Sequence, residues 1–160
     1  MITQTTIRQA VPNDHSKLQE IIDLSFPRFF RQFASHSLNS DGTTIVAEVD
    51  NVVAGFAKLF LFGIGCGSFG CILWLAVHPN YRQKGVAAKL VDAATSQLLD
   101  NGAESVFASV QRRNTASLAT FRKEGFKQLG FLGLWRLFGW RVFSFYRKIW
   151  FTPGEIILMR

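Results

Sequence analysis

The chain has 160 residues, 48% of them hydrophobic, and carries a formal net charge of +7. That length and apolar share suit one globular domain over residues 1–160, and no run of about 18 apolar residues is free of charge, as a membrane-spanning helix would require. The charge is uneven: residues 111–160 hold ten Lys and Arg against two acids, whereas residues 1–110 hold eight against nine, so the basic character belongs to the last third.

The opening residues have no basic start followed by an apolar core, so they do not read as a secretory signal and a cytoplasmic protein is expected. Thr6–Gln9 reads as a short strand that Pro12 and Asn13 end, and Asp14 is placed to cap a helix through Leu18, Ile21, Ile22 and Ser25. Phe26, Phe29, Phe30 and Phe33 cluster around Pro27, and core packing is expected of them, with a pocket cover as the alternative. "TTIVAEVDNVVAGFAKLFLF" predicts two strands joined at Asp50-Asn51, because Asn tolerates the positive φ of a tight hairpin turn. "GIGCGSFG" then reads as a glycine-rich connection, without the strand, loop and helix order of a phosphate site. The cysteines, Cys66 and Cys71, lack Cys or His partners at metal-site spacing and are expected as buried, reduced thiols.

"CILWLAVHP" predicts a strand buried on both faces. Apolar residues at Val86, Ala87, Leu90, Val91, Ala94 and Leu98 predict a helix over 86–99, with Gly102 near its C-cap. "SVFASV" reads as another strand. "NTASLATFRKEG" reads as a second helix, with Asn114 at its N-cap and Gly125 at its end. Strands alternating with helices predict α/β packing around a central sheet.

The junction "HPNYRQKGVAAKLV", residues 78–91, has the order buried strand, short loop, helix. A helix start offers unpaired N–H groups and the positive end of the helix dipole. Gly85 lets an anion approach the backbone, Ala87 keeps a second position small, and Arg82 and Lys84 add charge at the rim. A pyrophosphate fits such a cradle; the same residues also suit a basic turn ahead of a helix.

Arg82-Gln83-Lys84-Gly85-Val86-Ala87 matches the Q/R-x-x-G-x-G/A signature of the GNAT superfamily of N-acetyltransferases, and "NTASLATFRKEGF" resembles that family's second conserved helix at the expected distance. The resemblance runs from "TIRQA" to "EIILMR". It implies a single-domain α/β fold with a mixed, mostly antiparallel central sheet, splayed between strands 4 and 5 and flanked by helices. It implies acetyl-CoA as cosubstrate and acetyl transfer to a primary amine of a small molecule or protein. By the same carry-over, backbone groups near Leu75 and Val77 meet the pantetheine arm. Arg82, Gln83, Lys84, Gly85, Val86 and Ala87 hold the pyrophosphate. Asn114 supplies a polar contact to the cofactor arm.

Direct transfer needs a neutral amine, a polarised carbonyl and often a proton donor for the leaving thiolate. Many family members supply that donor as a tyrosine seven residues after the Asn. Phe121 stands there in this chain, able to pack against the arm but not to donate a proton. The inward positions of the fourth strand, often acidic or His in the family, are Cys71 and Leu73. Cys71, Glu48 and Tyr146 remain as catalytic candidates, each with a structural alternative. These departures leave room for a second class of function, a non-catalytic acyl-CoA-binding sensor or interaction domain.

"FLGLWRLFGWRVFSFYRKIWF", residues 131–151, holds nine aromatic residues and four Lys or Arg among 21, and looks inserted relative to the family's usual path. A helical or looped piece to about Gly139 is expected, then a strand over Arg141–Tyr146 pairing with "EIILMR" through a turn at Pro153-Gly154. Its rings suit packing on the sheet, a homodimer interface, a lid over the amine site, or a peripheral membrane contact. No nucleic-acid motif accompanies the basic charge, so nucleic acid is the weaker partner.

Overall fold

Positive φ at two adjacent residues is what a type I′ two-residue hairpin requires. The computed structural model, which describes residues 4–160, has it at Asp50 (φ 52°) and Asn51 (φ 64°), between β2 (Thr43–Val49) and β3 (Val52–Ile64). β1 (Thr5–Gln9) pairs antiparallel with β2. A second turn at Gly65-Cys66 leads from β3 into β4 (Gly67–Val77). β5 (Val106–Gln111) runs parallel to β4 over Gly70–Ile72, while β4 itself continues to Val77. β6 (Lys127–Gln128) and β5 flank β7 (Glu155–Met159), both antiparallel to it. The protein is therefore mixed α/β. Its seven-stranded, mostly antiparallel sheet has the order β1-β2-β3-β4-β5-β7-β6, one parallel pair and flanking helices.

Contacts divide the chain into two compact units, Met1–Leu59 with Trp74–Ala94 and Phe60–Leu73 with Thr95–Arg160. In the first, α1 (His15–Ser25) and α2 (Arg28–Leu38) contribute Leu18, Ile21, Ile22 and Ala34 to a core completed by Val46, Val53, Phe56 and Ala76. Gly55 is required here: a Cβ would meet the Ala76 carbonyl oxygen at 2.7 Å and Leu90 at 3.2 Å, so only glycine lets the strand ends and α3 (Val86–Asp100) approach this closely. Asp14 sits at the N-terminus of α1 but does not cap it through its side chain. Instead Arg8 donates to Asp14 Oδ2 at 2.7 Å and Oδ1 at 2.9 Å, and the Val11 N–H donates to Oδ2 at 2.8 Å. The Arg8 guanidinium holds the Asp14 carboxyl below its ordinary value against the opposing effect of burial.

The second unit is an aromatic core. Phe145 is fully buried, with its ring centroid 4.8 Å from Phe107, 5.0 Å from Phe138 and 6.0 Å from Phe62. Leu134, Phe138, Val142, Phe145 and Ile149 complete its inner surface. Their spacing of three and four residues is helical, and it explains a correction: the segment forms α5 (Phe131–Phe138), a 3-10 turn (Gly139–Arg141) and α6 (Val142–Lys148), not a strand over Arg141–Tyr146. The partners of β7 are β5 and β6, because the helices take up the residues expected to pair with it.

Three further expectations are corrected. Phe29, 70% exposed, and Phe33 stand outside the core, because Ala34 and Ser37 take the buried face of α2. Cys66 is exposed on its turn while Cys71 is buried. Leu73, Trp74 and Leu75 are only half-buried, so β4 is not covered on both faces along its whole length.

Candidate functional site

In the first unit, β4 ends at Val77 and is followed by a 3-10 turn, Pro79–Tyr81, which His78 caps by accepting the Asn80 N–H at Nδ1, 3.3 Å away. The chain then takes positive φ at Gln83 (60°) and Gly85 (77°) before α3 begins. This double bend turns the loop onto the helix axis. Gly85 accepts from the Lys89 N–H at 3.1 Å, which leaves the N–H groups of residues 86–88 in the first turn, where a helix supplies no partner of its own. A Cβ on Gly85 would meet nothing within 4 Å, so the space beside its backbone is open. Open space, first-turn N–H donors and the positive dipole end together suit an anion such as pyrophosphate.

The basic side chains are more specialised than a charged rim. Arg82 is exposed but reaches back: Nε donates to the Val77 carbonyl at 3.0 Å and one terminal nitrogen donates to Ser25 Oγ at 3.2 Å. Arg82 therefore ties the loop to the end of β4 and to α1. The Val77 carbonyl is thereby already engaged, whereas Leu75 remains half-buried. Lys84 lies over the Tyr81 ring, its Nζ 5.3 Å from the centroid, and stays solvent-exposed. Val86 is buried as the first anchor of α3, and Ala87 is half-buried beside it. Trp74 Nε1 is buried without a hydrogen-bond partner among the described residues, in contact with Phe26 and Phe30.

Glu48 belongs to the same unit but is committed to an ion pair. Its Oε1 accepts from Arg8 at 2.6 Å and 3.0 Å, in the cluster that also holds Asp14. Glu48 is thus held through Oε1 as the ion-pair partner of Arg8. A hollow of about 530 Å³ between α1 and α2, lined by His15, Asp23, Arg31 and His36 among others, contains no residue of the 82–87 loop.

In the second unit, Asn114 starts α4 (Thr115–Lys123), and its Oδ1 accepts the Ser117 N–H at 3.1 Å. Phe121 is buried and meets Phe126, just beyond the end of α4, edge-to-face at 5.1 Å. Cys71 is enclosed in the aromatic core, and burial, with a contribution from the Glu155 carboxylate, pushes its thiol far up. A neutral thiol in that setting is neither base nor nucleophile. Tyr146 is half-buried, 4.8 Å from the Phe151 ring, and burial pushes its phenol up as well.

One group was missed from the sequence. Glu155, at the start of β7, accepts from Ser109 Oγ at 2.6 Å and from the Thr152 N–H at 2.9 Å. Both bonds fall on Oε2, leaving Oε1 without a protein partner among the described residues. The buried Thr152 Oγ1 likewise lacks a partner. Glu155 is thus a half-buried carboxylate held by a serine hydroxyl and a main-chain N–H, with one oxygen spare. The available signal was scarcity: Glu124 and Glu155 are the only acids after residue 110, and Glu155 directly follows the Pro153-Gly154 turn into an apolar strand.

Comparison with known proteins places this geometry in context. Residues 10–126 match the model of the Acetyltransferase (GNAT) family. An N-alpha-acetyltransferase of Saccharolobus solfataricus is 27% identical over 135 residues, covering 78% of this chain and 81% of that protein. A GNAT-family protein from Desulfovibrio desulfuricans has the same fold with a TM-score of 0.75 and 16% identity, covering 98% of both chains. A Bacillus subtilis acetyltransferase solved in complex with CoA shares the fold with a TM-score of 0.70 and 17% identity, covering 98% of this chain and 97% of its own.

Proposed function

The chain belongs to the GNAT acetyltransferase family, and on that premise we propose that it is an N-acetyltransferase that moves an acetyl group from acetyl-CoA to a primary amine. The observation that carries the reading is the loop of residues 82–87. Positive φ at Gln83 and Gly85 turns the backbone so that open space lies beside the first turn of α3. The main-chain donors there would hold the pyrophosphate, and Lys84 would add charge from solvent. Arg82 would act by fixing the loop to Val77 and Ser25. Bound acetyl-CoA supplies the thioester.

The amine nitrogen forms a bond to the acetyl carbon, the carbon–sulfur bond breaks, and the electron pair leaves on the CoA thiolate. The amine must shed a proton before or during the attack, to a base or to water. The thiolate is a fair leaving group and takes its proton from solvent, which accommodates Phe121 where the family resemblance implies a tyrosine. The Saccharolobus relative is named for acetylation of α-amines, so peptide N-termini are the first acceptors to try, ahead of small-molecule amines.

The rival reading, a non-catalytic acyl-CoA-binding domain, is favoured by the same Phe121 and by the buried Cys71. Incubation with acetyl-CoA and a panel of peptides and small amines, scored by amine-dependent release of free CoA, separates the two. Release with at least one amine is expected. Tight CoA binding with no release across the panel would favour the rival.

A further inference from the structure

The helical segment of the second unit has a built inner face and an outer face that the fold leaves uncovered. Leu134, Phe138, Val142, Phe145 and Ile149 point into the core. On the outside, Leu132 is 73% exposed, Trp140 79% and Phe143 60%, and Phe131, Leu137 and Trp150 are exposed as well. Part of this surface is continuous by direct ring contact: Phe131 lies 5.9 Å from Trp135, and Trp135 lies 4.9 Å from Trp140. Six large apolar side chains in 20 residues is far more than scattered surface apolar residues explain.

The charge on this surface has one sign. Arg136, Arg141 and Arg147 are exposed and Lys148 is half-buried, and no acidic residue occurs between Glu124 and Glu155. A protein partner would have to supply both an apolar surface and several acids. An anionic bilayer supplies both at once, with phosphate headgroups for the guanidinium groups and acyl chains just beneath for the rings. Indole rings favour that boundary, where one edge is wet and the other apolar. No helix among the described residues is long and apolar enough to cross a membrane, so the contact this surface offers is peripheral.

We propose that the α5–α6 segment is a peripheral docking surface for anionic lipid bilayers, with Leu132, Trp140 and Phe143 inserting at the headgroup boundary and Arg136 and Arg147 contacting lipid phosphates.

The test is flotation of the full chain with phosphatidylcholine vesicles and with vesicles containing phosphatidylglycerol. Three proteins are compared: wild type, a Leu132→Ser/Trp140→Ser double variant and an Arg136→Glu/Arg147→Glu double variant, each checked for native circular dichroism. Wild type is expected to float with the anionic vesicles only, and less so as salt rises. Each double variant is expected to lower the partition coefficient by about tenfold or more, since one removes two large apolar side chains from the contact and the other reverses the charge of two headgroup contacts. Substituting at exposed positions spares the core, and the two variants alter different chemistry, so a folding defect in one leaves the other to decide. Absence of flotation with anionic vesicles would overturn the proposal. So would flotation that neither variant weakens. Lipid-free dimerisation that Leu132→Ser/Trp140→Ser abolishes, without flotation, would reassign the surface to a second copy of the chain.

Discussion

Gly85 offers a way to separate backbone strain from charge at the proposed phosphate site. Gly85→Ala and Gly85→Glu both place a Cβ at a residue with φ 77°, where a non-glycine residue costs about 1–2 kcal/mol. Both Cβ atoms would enter space with nothing within 4 Å, so neither substitution clashes with the protein itself. The stability loss of the two should therefore be similar. Their CoA affinities should differ, because only Glu adds a negative charge near the bound pyrophosphate. At a separation of roughly 6 Å and an effective dielectric of 20–40, that repulsion is about 1.4–2.8 kcal/mol. The dissociation constant for CoA should thus be about ten- to a hundredfold higher for Gly85→Glu than for Gly85→Ala. Titration calorimetry with CoA measures the ratio, and urea melts of both variants supply the control. Equal CoA affinity for two equally stable variants would refute the assignment of this loop to phosphate.

Other expectations are more direct. Phe145→Ala opens a cavity among Phe62, Phe107 and Phe138 and should cost about 3–5 kcal/mol, read as a fall in Tm of roughly 10 °C; a melting curve superimposable on wild type would contradict the core assignment. Asp14→Asn should cost about 2 kcal/mol at neutral pH by breaking the Arg8 cluster. Because the folded carboxyl is held below its ordinary value of 3.8, its contribution is full above about that pH and is lost as pH falls through the lower folded value. The variant's stability should therefore converge on wild type in acid, and a constant difference down to about pH 2 would count against the ion-pair account.

The elements that lie in local sequence were readable before the structure. Asp50-Asn51 marked its hairpin because few residue pairs accept two positive φ values in succession. Asn114 marked the start of α4 because its side chain caps three residues ahead. The loop at Gly85 was found by motif, but the bonds Arg82 makes were not, since its partners Ser25 and Val77 come from elsewhere in the chain. The aromatic segment was misread for a related reason. Nine rings in 21 residues blur the distinction between a helical and an alternating pattern, and only the packing of Leu134, Phe138, Val142, Phe145 and Ile149 decides for helices. Glu155 was hidden because a carboxylate's availability depends on its neighbours: Glu48 looks more promising in sequence, yet Arg8 occupies it.

The two thiols offer practical access to the second unit. Cys71 is sealed in the aromatic core, whereas Cys66 stands exposed on the turn between β3 and β4. A maleimide reagent should therefore label a single sulfur of the unaltered chain, with no cysteine to engineer away. Cys66 lines a hollow of about 330 Å³ together with Leu137 and Arg141 of the α5–α6 segment. An environment-sensitive dye attached there would sit beside the aromatic helices and report, by its emission colour, whether they meet lipid.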